Sequence, residues 1–67
     1  EPELIRACVA KLPPHYATVI TLYCLDELPY EEIVQILRIS KGTLKTWMHR
    51  ARNELRGIVE KELNVRG

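Results

Sequence analysis

The strongest constraint on this chain lies beyond Ser40. Leu44, Trp47, Met48, Ala51, Leu55, Ile58, Val59 and Leu63 recur at three- and four-residue spacing over about twenty residues without a proline. Only a helix gathers these positions into one stripe, and such a stripe needs other elements to cover it. A chain of 67 residues has room for a few short partners around a single core, so one domain spanning 1–67 is expected. A domain this small buries only about 60% of its unfolded surface, which favours function at the surface over chemistry in a deep pocket.

The punctuation before that stripe divides the remainder into three segments. Leu4, Ile5, Cys8, Val9 and Leu12 predict a short helix from about Glu3 to Lys11. After Pro13-Pro14, with Pro14 tolerated in a first turn, a second helix runs to about Leu25 with Tyr16, Val19, Ile20 and Tyr23 on one face. Pro29 opens a third of about eight residues, carrying Ile33, Ile36 and Leu37 inward and Glu31 and Glu32 in its positive first turn. Ser40 is a good N-cap for the fourth. No segment alternates apolar and polar residues as a strand would, so the fold class is all-α: a small four-helix domain containing a helix-turn-helix.

Charge decides what such a domain could meet. Ten Lys plus Arg stand against nine Asp plus Glu, a net charge of +1 that says nothing for nucleic acid. The distribution is more informative. Residues 26–36 hold Asp26, Glu27, Glu31 and Glu32 with no basic residue, whereas residues 38–56 hold Arg38, Lys41, Lys45, Arg50, Arg52 and Arg56 against Glu54 alone.

A short helix, a tight turn and a second helix with a basic outer face form an arrangement that reads double-stranded DNA, because the major groove admits one helix and its first turns reach the base edges. With roughly 100° per residue and Leu44 at the core, Lys45, His49, Arg52 and Arg56 fall in one stripe, Thr46 and Asn53 point outward, and Thr43 and Arg50 take the opposite flank. Lys45, Thr46, His49 and Arg50 are therefore the base-edge candidates. Arg38, Lys41, Thr43 and Arg52 are better placed for phosphates, together with the free N–H groups at the helix start. The plainer alternatives are a solvated basic face, a pairing of Arg50 or Arg52 with Glu32 that sets the angle between helices, and a Trp47 that belongs to the core or groove rim.

Little else in the chain suggests chemistry. Cys8 and Cys24 stand apart among apolar neighbours and read as small buried hydrophobes, with a disulfide as the remaining option; no metal and no cofactor are expected. His15 reads as a capping or solvated residue. No nucleophile–base pair or phosphate-cradling loop is present, so the chain is not expected to be an enzyme. With no apolar run of membrane-spanning length and no basic-then-apolar leader, it reads as cytoplasmic with no membrane partner, and the start at Glu1-Pro2 reads as a piece of a longer protein.

The string from Leu12-Pro13-Pro14-His15-Tyr16 to Ile20, then Leu28-Pro29-Tyr30-Glu31-Glu32-Ile33, Ser40-Lys41-Gly42-Thr43-Leu44-Lys45 and His49-Arg50-Ala51-Arg52 resembles region 4 of the bacterial sigma-70 family, most closely its extracytoplasmic-function branch. The similarity runs from about Leu12 to Leu55. It implies a winged-helix-like, sigma region 4 type fold that recognises the minus-35 promoter element and docks on the β flap of RNA polymerase. It also implies that Lys45, Thr46, His49 and Arg50 face the bases, and brings in an anti-sigma factor as a partner, as in many members. Three residues depart from the pattern: Pro29 replaces a capping Ser or Thr, Val34 stands where Ala is common, and Arg38 where Gly is frequent. A strained turn or a slightly wider helix crossing is the expected result. A quorum-sensing or response-regulator output domain shares some of these signatures, and a helical protein-interaction module that never meets DNA is a further alternative.

Overall fold

The computed structural model describes residues 2–66. Four α-helices appear in the expected order: α1 (Pro2–Val9), α2 (Pro14–Ile20), α3 (Tyr30–Leu37) and α4 (Lys41–Arg66). Among the described residues there is no strand.

Prolines set the first boundaries. Pro13 disfavours a helical Leu12 and cannot donate, so α1 stops at Val9 and closes with short-range bonds from Lys11 N–H to Cys8 and from Leu12 N–H to Val9, each 3.0 Å. The predicted extension of α1 to Lys11 is thus a tight turn. Pro14 occupies the first turn of α2, and Ala17 N–H reaches back to the Pro13 carbonyl at 2.9 Å. The end of this segment is wider than an α-helix. Thr21–Leu25 form a π turn, with Asp26 N–H bonded to the Thr21 carbonyl at 2.9 Å, and Glu27 then takes a left-handed conformation at φ 58°.

The turn between α3 and α4 follows from two residues. Arg38 adopts φ 57°, ψ 47°, and both its own N–H and that of Ile39 return to the Val34 carbonyl, which ends α3 in the manner usually served by glycine. The strain expected at Arg38 is therefore present. Arg38→Gly should raise folding stability by about 0.5–1 kcal/mol, the left-handed penalty less the extra chain entropy of glycine. An unchanged or lower urea midpoint would mean that Arg38 is not left-handed in solution. Ser40 caps α4 as predicted, its Oγ accepting the Thr43 N–H at 3.0 Å.

The core lies where α1, α2 and α3 meet the first half of α4. Cys8, Val9, Leu12, Val19, Ile20, Ile33, Leu44, Met48 and Ala51 are buried, with Tyr16, Tyr23, Val34, Leu37 and Trp47 half-buried around them. Two expected core positions are not inside. Ile36 is 56% exposed and Leu63 53% exposed. On α3 the core direction falls between Ile33, Val34 and Leu37; the 100° step then carries Ile36 out to solvent, so the residue marked as a departure, Val34, takes the inward place. Leu63 lies where α4 overhangs the core. A helix of 26 residues is about 39 Å long, which accounts for a longest dimension of 40 Å against 19 and 15 Å across. Lys11 Nζ grips Glu62 Oε1 at 2.9 Å and ties this overhang to the turn after α1.

One of the two cysteines also differs from expectation. Cys8 is buried, but Cys24 is exposed on the π turn, and both are free thiols. The wider turn rotates Cys24 off the apolar face that continuous α-helical spacing assigns to it.

Candidate nucleic-acid interface

The helix-turn-helix consists of α3, the three residues 38–40 and the opening turns of α4. Burial of Leu44, Met48 and Ala51 fixes the rotation of α4 about its axis, and that rotation decides which residues project. Lys45, Thr46, His49 and Arg50 are all exposed, on consecutive turns of the outward surface. The four base-edge candidates therefore share one accessible face.

The phosphate candidates divide into two groups. Arg38 and Lys41 are exposed at the turn, flanking the start of α4, where unpaired N–H groups and the positive end of the helix favour an anion. Thr43 is half-buried and engaged in the cap: the Ser40 hydroxyl donates to Thr43 Oγ1 at 3.0 Å. That bond uses Thr43 Oγ1 as an acceptor and leaves its hydrogen free to donate outward. Arg52 stands apart from the other three, two turns further on. Its guanidinium lies 5.5 Å from the centre of the Tyr23 ring, and Tyr23 in turn meets Tyr30 edge-on at 5.2 Å. This cation–π contact contributes about 0.5–1 kcal/mol at an exposed site and ties α4 to the π turn.

The ion pair expected between Arg50 or Arg52 and Glu32 is absent. An ion pair does join α3 to α4, between Glu31 Oε2 and Lys41 Nζ at 3.7 Å, with both side chains more than half exposed. At that exposure it contributes little to stability. Its effect is local, since it holds a carboxylate beside a phosphate candidate.

Trp47 is half-buried against the core, one of the two places expected for it. His15, read from sequence as capping or solvated, is exposed, with its ring tilted against Tyr16 at 4.2 Å and edge-on to Trp47 at 5.0 Å. Trp47 lies between Thr43 and Arg50 on the helix surface, so His15 borders that flank from α2. Sequence spacing could not show this contact, because 31 intervening residues separate the two rings. The sequence also gave no sign of the pair formed by His49 and Asn53, whose Nε2 and Nδ2 atoms are 3.4 Å apart.

Known proteins place this arrangement in a family. The family described as "Sigma-70, region 4" matches residues 3–55. Among curated relatives, the ECF RNA polymerase sigma factor SigW of Bacillus subtilis is 50% identical over 52 residues, covering 78% of this chain and 28% of the relative. SigM of the same organism is 34% identical over 62 residues, covering 92% and 38%. SigE of Mycolicibacterium smegmatis is 33% identical over 57 residues, covering 85% and 22%. The chain thus spans well under half the length of these relatives. No solved structure matches it significantly. With four helices in this order, a capped helix-turn-helix and a match over most of its length, the chain belongs to the sigma-70 region 4 family.

Proposed function

We propose that the chain reads the minus-35 element of promoter DNA during transcription initiation in the cytoplasm, while docking on the β flap of RNA polymerase. The observation that carries this reading is the joint exposure of Lys45, Thr46, His49 and Arg50 on the first turns of a capped helix, in a chain similar to ECF RNA polymerase sigma factors. Arg50 and Lys45 suit guanine edges, and Thr46 suits a thymine methyl or a polar edge. Arg38, Lys41, Thr43 and Arg52 hold the backbone and set register, without sequence preference. An anti-sigma factor that covers the same face would silence the domain by competition for it. Catalysis has no part in this scheme.

Selection from randomised duplexes by the chain with RNA polymerase core tests the reading. One enriched hexamer-scale motif is the expected result, and no enrichment would overturn it. Salt dependence separates groove binding from a helix that only docks on protein. Binding to DNA should weaken with a log–log slope of about −0.9 per phosphate neutralised, and Lys41→Ala should flatten that slope by about one unit on every sequence. An unchanged slope would remove Lys41 from the phosphate contacts.

A further inference from the structure

The aromatic contact of Arg52 carries an inference that rests on the proposed phosphate role of that residue and deepens it. Tyr23 is the central residue of the π turn Thr21–Leu25. Its ring is half-buried against the core and is met edge-on by Tyr30 of α3 at 5.2 Å, so it is a braced platform and not a loose surface group. The Arg52 guanidinium lies over that ring, 5.5 Å from its centre, within the range of cation–π attraction. Among the described residues Arg52 makes no ion pair and no hydrogen bond, so no acceptor there competes for its five N–H donors.

We infer that Tyr23 is a positioning residue that holds the Arg52 guanidinium ready for a phosphate before DNA arrives. Arg52 follows Lys45 by seven residues, which puts it two turns further along the same side of α4, about 10 Å away. A long exposed side chain samples many rotamers, and fixing it on one phosphate removes that freedom at the moment of binding. The ring restricts Arg52 in the free protein, so less freedom is lost on the duplex. A guanidinium stacks through its face and donates from its edge, so the ring and the phosphate do not exclude one another. Phosphates occur at every base pair, so the gain is the same on all sequences. Tyr23 thereby strengthens binding without touching DNA, and the π turn takes part in a grip that the helix-turn-helix alone does not provide.

Proton resonances of the free 67-residue chain test the contact. The side-chain protons of Arg52 should lie upfield of those of Arg56, which is exposed on the same helix and has no aromatic contact among the described residues. Coincident shifts would overturn the inference.

Binding to a random-sequence duplex tests the consequence. Tyr23→Phe keeps an electron-rich face and, as the conservative variant, should retain the affinity. Pentafluorophenylalanine at position 23 keeps the shape of the ring but withdraws electrons from its face. It should weaken binding by roughly two- to fivefold, and equally on the selected promoter duplex. Arg52→Ala should flatten the salt slope by about one unit, and in that background the fluorinated ring should change nothing further. No loss from the fluorinated ring, an equal loss in Tyr23→Phe, a loss confined to the promoter duplex, or a loss that persists without Arg52 would overturn the inference while leaving Arg52 a phosphate contact. A salt slope unaltered by Arg52→Ala would instead overturn the phosphate role itself.

Discussion

Leu44→Ala should lower folding stability by about 2–5 kcal/mol, the range for truncating a fully buried leucine whose site cannot collapse. Leu44 has no exposed surface and sits in the first turns of α4, against Val19, Ile20 and Ile33 in the same cluster. Against roughly 0.05–0.15 kcal/mol per residue, a domain of this length has only about 3–10 kcal/mol to lose. The substitution therefore removes a large part of the total and should lower Tm by at least about 10 °C in thermal unfolding followed by circular dichroism. Leu63→Ala is the matched control. With Leu63 53% exposed on the overhang, its loss should stay within about 0.5–1 kcal/mol. Similar losses for the two variants would mean that the core is not where Leu44, Met48 and Ala51 place it.

Arg50→Ala should lose about 1–3 kcal/mol of binding on the selected promoter duplex, roughly five- to 150-fold in Kd, and less on random DNA. The difference between the two duplexes is the informative quantity. A contact to guanine O6 and N7 is present only at the right base pair, whereas a contact to phosphate is present everywhere. Equal losses on both duplexes would reassign Arg50 to the backbone. Replacing Lys45, Thr46, His49 and Arg50 together by Ala should leave weak, salt-sensitive binding without sequence preference. Retained preference in that protein would end the case for this face of α4.

The parts of the fold visible in the sequence were those governed by short-range physics. Helical spacing beyond Ser40 identified α4, because no other element brings Leu44, Met48 and Ala51 to one side. The Ser40 cap was legible for the same reason, since it depends on a backbone requirement within four residues, whereas the left-handed Arg38 was foreshadowed only by the resemblance, in which Gly is frequent at its place. Where distant elements compete for one position, spacing alone misled. Ile36 and Val34 are both apolar and only two residues apart; the seat of α3 on α4 decides between them and turns Ile36 outward. Cys24 reads as buried from its apolar neighbours Tyr23 and Leu25, but it lies on the π turn and is exposed there.

The same distinction holds at the interface. Wheel geometry was enough to gather Lys45, Thr46, His49 and Arg50 on one exposed face, since all four belong to a single regular helix. Contacts between elements were not available to it. Charge alone suggested Glu32 with Arg50 or Arg52, yet Glu31 meets Lys41 and Arg52 lies over Tyr23. His15 reaches the same flank from α2 through the Trp47 ring.

The continuity of α4 has a mechanical consequence. The residues proposed to enter the groove and the residue held by Lys11 belong to one unbroken rod, so the two ends cannot turn independently. Any tilt imposed at the Glu62 end is delivered to Lys45 and Arg50 as a change of approach angle, with the buried segment around Met48 as its fulcrum.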